Sequence, residues 1–197
     1  MFKNELQVHI EEYKSTQQII NVRCEAGQKI NYWSILLLVG SISIILELFT
    51  TIETQEYLYL LFVFPFPFHL FALMLLRNDL IIAANAKYYN KTLRPIVMKI
   101  ISSDKDICSK DIWMREEEIS STRIGIFNKF LGVCRYGIPL IAFPIYSFIY
   151  FSLKHEFNCD LEYLDKFLFY LNLIIEFYII YEIFKRLPKA LDDIVNK

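Results

Sequence analysis

The chain has 197 residues, 55% of them hydrophobic and 16% aromatic, with a formal net charge of −1. Its 17 phenylalanines and 13 tyrosines are far more than a soluble domain of this size usually carries. Five glycines build no phosphate-cradling loop, no HExxH or nucleophile elbow occurs, and His9, His69 and His155 fall at different depths, so no enzyme and no catalytic residue is expected.

Residues 1–30 are polar and charged, carrying Lys3, Glu5, Glu11, Glu12, Lys14, Arg23, Glu25 and Lys29. They lack the short apolar run and small-residue cleavage site of a signal peptide, so a retained N-terminus is expected. Leu6, Val8, Ile10, Tyr13, Ile19 and Ile20 form no sustained wide stripe, which predicts a surface or interfacial helix, lying along a membrane or packed on a neighbour.

A bilayer core of about 30 Å needs about 20 predominantly apolar helical residues. Four windows meet that length: 31–50, 57–76, 131–152 and 164–184, the last two more interrupted by polar residues. Rings gather near their ends, as at Tyr32, Trp33, Tyr57, Tyr59, Tyr150 and Phe151, where an amphipathic ring suits the headgroup level. Eighteen of the 21 basic residues lie before the first window, between the second and third, or after the fourth, with Arg135 at the inner end of the third. Positive charge is retained on the cytoplasmic side, so both termini and the central segment of a multi-pass protein are expected inside.

Between residues 77 and 101 only Pro95 breaks the helical pattern, which predicts that the second span runs on as a long helix, kinked or ended near 92–94. A turn is expected at 102–110 and a further helix at 111–126, whose acidic start (Asp111, Glu116, Glu117, Glu118) precedes Arg123 and Lys129 in the sense a helix dipole favours. The expected architecture is all-α and integral to the membrane, with four transmembrane helices and a cytoplasmic helical stalk. Its segments are an N-terminal helix (1–30), a first hairpin (31–76), the cytoplasmic helices (77–130), a second hairpin (131–184) and a tail (185–197). Cys24, Cys108, Cys134 and Cys159 show no CxxC pair or zinc spacing, so neither a metal site nor a disulfide framework is indicated, and nothing points to a cofactor.

Glu47, His69, Asn172 and Glu176 are the strongly polar residues well inside the windows, and an ionisable group there costs at least about 2.5 kcal/mol unless hydrated or paired. They are candidate pore-lining residues, with Asn172 and Glu176 one turn apart on one face and Glu47 close to the outer end. The competing reading is that Glu176 and His69 pair with each other or with Arg135. Pro65, Pro67, Pro139 and Pro144 favour kinks, serving either as hinges or as fixed packing shape. Lys87, Tyr88, Lys91 and Arg94, with Tyr89, interleave cations and rings, which suits nucleotide or oligonucleotide phosphates and bases. The same residues satisfy the positive-inside bias against anionic lipid.

Glu12-Tyr13-Lys14 with Arg23 ahead of the first span, and Arg77-Asn78-Asp79 followed by Ile82, Ala83 and Tyr89 after the second, give the chain a pattern that resembles small bacterial membrane proteins of antiphage defence, the membrane components of Hailong- and Kiwa-type systems. The resemblance covers most of the chain on short motifs. It implies a homo-oligomer, a tetramer being one form, with cytoplasmic helices facing a soluble partner or a ligand. Two functions follow as expectations. One is an oligomeric channel or pore-forming effector gated through its cytoplasmic helices. The other is a non-conducting sensor or anchor that recruits a soluble effector.

Overall fold

The computed structural model describes residues 2–51, 58–103, 135–157 and 163–195, and among these there is helix and turn but no strand. Helix α1 spans Phe2–Thr51 without a break. The expected N-terminal helix and first span are therefore one element, since nothing between them stops a helix and Gly27 alone is not enough. After 52–57, which lie outside the described residues, come α2 (Leu60–Val63) and α3 (Pro65–Tyr88), a π-helical turn at Tyr89–Leu93, and α4 (Arg94–Ser103). Helix α5 covers Gly137–Phe157 and α6 covers Tyr163–Val195. The helix expected at 111–126, most of the turn at 102–110 and the start of the third window at 131–134 lie outside the described residues.

The four prolines of the apolar windows act differently from one another. Pro65 opens α3, and Pro67 lies in that helix's first turn, where no intrahelical partner awaits an N–H. Pro139 lies likewise in the first turn of α5, which explains why that helix starts at Gly137 and leaves Arg135 and Tyr136 in a preceding turn. Only Pro144 is interior. Pro95 follows the π-helical turn instead of ending the helix. A proline clashes with the carbonyl four residues back, and widening the ladder over 89–93 moves that carbonyl aside, so the chain continues helically to residue 103.

Four helical stretches, Gln7–Glu47, Leu60–Val97, Gly137–His155 and Tyr163–Leu187, are long and apolar enough to cross a membrane. The first two, at 41 and 38 residues, exceed the needed length about twofold. Their apolar parts coincide with 31–50 and 57–76.

The chain divides into two compact units. One contains Gly27–Leu76 and Cys134–Lys185. Its core is Ile45 of α1, Leu58, Leu61 and Phe62 around α2, Phe68 of α3, and Ala142, Phe143, Tyr146 and Tyr150 of α5, with Leu168, Phe169 and Leu173 of α6 packed against it. Phe62 sits at the centre, fully buried, its ring 4.4 Å from that of Tyr150 and 5.6 Å from that of Phe169 between centroids. Serines on α1 return their hydroxyls to the chain: Ser34 donates to Ile30 O at 2.8 Å, Ser43 to Val39 O at 2.9 Å and Ser41 to Leu37 O at 2.6 Å. A hydroxyl in an apolar helix is thus kept from being an unmet donor. Since Ser41 spends its hydrogen on α1, the Tyr146 hydroxyl donates to Ser41 Oγ and ties α5 to α1.

The other unit contains Met1–Ala26, Arg77–Val133 and Arg186–Lys197. Within it the first part of α1 runs antiparallel to the second half of α3: the Tyr88 hydroxyl donates to Glu12, the rings of Tyr13 and Tyr89 lie 5.1 Å apart, and Arg23 Nη1 donates to Asn78 Oδ1 at 3.3 Å. The N-terminal segment is packed on a neighbour, the second of the two arrangements its sequence allows. Replacing Phe62 by Ala should destabilise the protein by about 3–5 kcal/mol, read by unfolding in detergent micelles; a loss under about 1 kcal/mol would mean that the ring is not packed as described.

Candidate functional site

Helix α6 has two contrasting faces. Ile174, Phe177, Tyr178, Tyr181 and Phe184 are more than half exposed. Its buried face carries Asp165, Asn172, Glu176, Ile179 and Ile183, with Glu182 buried on the flank. Intervals of seven and four residues keep the first three within about 40° of one line on a helix. From Asp165 to Glu182 the rise is about 25 Å, close to a bilayer's hydrocarbon thickness. A span whose rings face outward and whose carboxyls and amide face inward is the reverse of an apolar packing seam.

At the N-terminal end of this face Tyr150 on α5 donates to Asp165 Oδ2 at 2.6 Å. Asp165 lies in the first turn of α6, where free N–H groups and the helix dipole favour a carboxylate. One turn past the middle of the first half, Asn172 is fully buried and makes three hydrogen bonds. Its Nδ2 donates to Phe62 O at 2.8 Å and to Leu168 O at 2.8 Å, and its Oδ1 faces His69 Nε2 at 3.0 Å. Phe62 lies beside the break at Phe64 between α2 and α3, where Pro65 and Pro67 withhold an N–H from the flanking carbonyls of Leu61 and Val63, and Asn172 meets the Phe62 carbonyl there.

His69 on α3 is 3% exposed, edged by the rings of Phe66 and Phe143 at 6.3 Å each. Its Nδ1 is buried with no hydrogen-bond partner among the described residues. Glu176, one turn beyond Asn172, is 9% exposed and hydrogen-bonds to no described residue. His69 Nε2 faces Asn172 and not Glu176. Three of the four candidate pore residues, His69, Asn172 and Glu176, are therefore gathered inside one unit of one chain. Glu47 is exposed on α1 and stands apart from them. Arg135 lies against the backbone of Gly27, where any side chain beyond hydrogen would collide with its guanidinium.

The candidate ligand residues fall in the other unit. Tyr88 is 40% exposed but its hydroxyl is committed to Glu12, and Glu12 Oε2 also lies 3.4 Å from His9 Nδ1. Lys87 is half-buried at the end of α3, Lys91 is exposed within the π-helical turn, and Arg94, half-buried, opens α4. Glu12 and Tyr88 lie outside the four apolar windows. The phenol's hydrogen bond holds the Glu12 carboxyl below its ordinary range, and the same bond pushes the Tyr88 hydroxyl up.

Asp165, Tyr150, Tyr146 and Ser41 are polar contributors that the list of strongly polar window residues leaves out. For Asp165 the signal is its spacing of seven from Asn172 and eleven from Glu176; for the tyrosines and serine no local signal exists, because their partners lie about 105 and 15 residues away. No protein-family model matches the chain, and no curated protein or solved structure matches it either.

Asn172→Leu should strand His69 Nε2 and the Phe62 carbonyl together, costing about 1–3 kcal/mol for each group, whereas Ser41→Ala should cost about 0.6 kcal/mol; equal losses in the two variants would contradict the clamp. A second expectation concerns pH. A carboxyl whose folded value is depressed supports the folded contact above its ordinary range and loses that support as pH falls through the folded value. Hydrogen exchange over residues 7–23 should therefore accelerate on acidification below the usual glutamate range, and Tyr88→Phe should flatten that dependence.

Proposed function

We propose that this chain is a subunit of an oligomeric membrane channel, a pore-forming effector of the antiphage type it resembles, in which the buried polar face of α6 marks the path. Four helices of sufficient length and apolarity support insertion as a multi-pass protein, and the distribution of Lys and Arg supports cytoplasmic termini. The observation that carries the reading is Glu176: a carboxyl at mid-span, nearly buried and hydrogen-bonded to no described residue. Such a group in hydrocarbon costs at least about 2.5 kcal/mol, and when it persists it marks a hydrated path or an ion relay more often than a packing element. The path lies within each protomer, because His69, Asn172 and Glu176 face the inside of one unit and not an outer surface that a symmetry axis could collect. Oligomerisation then sets the arrangement and the gating of several paths, with Lys87, Tyr88, Lys91 and Arg94 as the regulatory contact for a nucleotide, an oligonucleotide or a soluble partner.

A second reading, a non-conducting anchor or sensor for a soluble effector, draws on the pairing of 9–23 with 78–89. That pairing commits Tyr88 and Tyr89, two of the rings a base would stack on, to structure within the chain. The two are separated by planar-bilayer recordings of the purified protein. Discrete conductance that Glu176→Leu abolishes, with assembly by size-exclusion chromatography unchanged, is the expected outcome. Equal conductance in the variant would remove Glu176 from the path, and silence from well-folded wild-type oligomers would leave the anchor reading.

A further inference from the structure

The tautomer of His69 follows from the amide that holds it. Both carbonyls bonded by Asn172, Phe62 O and Leu168 O, can only accept, so the atom facing them is Nδ2 and the atom facing His69 is Oδ1. An amide oxygen also only accepts, so His69 Nε2 carries the ring hydrogen at neutrality. Nδ1 is then a bare lone pair, buried in a residue 3% exposed and without a partner. The flanking rings of Phe66 and Phe143 carry no N–H or O–H donor for it. A basic nitrogen fixed in this way, deep in an apolar unit and left unmet, is an unusual thing to maintain, since a buried acceptor ordinarily finds a donor.

The groups around it narrow what it can take. From α6 comes the Glu176 carboxyl, one turn beyond Asn172; from α5 comes Tyr146, one turn beyond Phe143, its hydroxyl engaged with Ser41 of α1. Among the described residues no three metal-ligating side chains gather here or elsewhere. A sodium or potassium ion must exchange its water shell for several oxygens, and one carboxylate beside aromatic rings does not provide them. A proton requires only a lone pair and a carboxylate to balance the resulting charge.

Resting on the channel reading and naming its permeant ion, we propose that His69 Nδ1 is a proton-accepting site and that the path along α6 conducts protons. A hydronium ion gives its proton to the Nδ1 lone pair and leaves as water, forming the imidazolium. The Nε2 hydrogen remains on Asn172 throughout. The proton then departs from Nδ1 to the Glu176 carboxylate, restoring the neutral ring, and Glu176 releases it to water on the other side. Asn172 is a positioning residue: its two backbone bonds keep the ring from turning and so keep Nδ1 as the exchanging atom.

The test uses the full-length protein in planar bilayers under opposed proton and potassium gradients, and in liposomes with a trapped pH-sensitive dye. Wild-type current should reverse at the potential set by the proton gradient, and His69→Gln should lower dye-reported proton flux at least tenfold while the oligomer elutes unchanged. A reversal potential that follows potassium overturns the proton assignment and leaves the channel reading standing, whereas wild-type silence overturns the channel reading itself. The wild-type reversal potential decides the permeant ion even where His69→Gln does not fold. Undiminished proton flux in a folded His69→Gln would overturn the role of Nδ1.

Discussion

A polar atom buried in an apolar unit is costly unless another part of the chain meets it. The break between α2 and α3 is where this constraint bears hardest. Two prolines within three residues remove two backbone donors, those that would meet Leu61 and Val63, and the carbonyl of Phe62 between them accepts from Asn172, 110 residues away. With one amide hydrogen spent there and the other on its own helix, the asparagine has only its oxygen left, and that oxygen orients His69. The orientation of a titratable ring thus descends from an asparagine that two backbone carbonyls hold in place. The same constraint explains why the serines of α1 fold back on their own carbonyls and why Tyr146 turns its hydroxyl to the one serine oxygen within reach.

The arrangement inverts the usual division of labour on a membrane helix. The outward rings of α6 are suited to acyl chains, while its inward carboxyls and amide face the rest of the unit. On the same face Ile179 and Ile183 are buried by packing. Polarity and packing therefore alternate along one face of α6.

The four long apolar helices were legible because a run of about 20 apolar residues leaves few alternatives to a helix. The mid-span polar residues were legible for the same reason, as exceptions in an apolar background. What could not be read was which exceptions meet. The charges of His69 and Glu176 suggest a pair, but the partner of His69 is the neutral Asn172, because the orientation of an amide depends on a carbonyl of another helix. The effect of a proline depends on its position: Pro139 lies in the first turn of α5, and at Pro95 a π-helical turn lets the helix run on. In α1 the change from a polar to an apolar surface coincides with no change in the backbone, which has no reason to stop there.

That π-helical turn at Tyr89–Leu93 has a consequence for how this protein can vary. A single π turn amounts to one residue more than the α-helix on either side requires, so it rotates everything that follows by about 100° relative to an unbroken helix. The buried positions Leu93 and Val97 are in phase with the unit only because that extra residue is present. A chain lacking one residue here would close into regular helix, yet would present a different stripe of α4 to its surroundings. Length in this segment is therefore a setting for rotation, and insertions or deletions of a single residue between 89 and 93 change which face is shown without changing whether a helix forms.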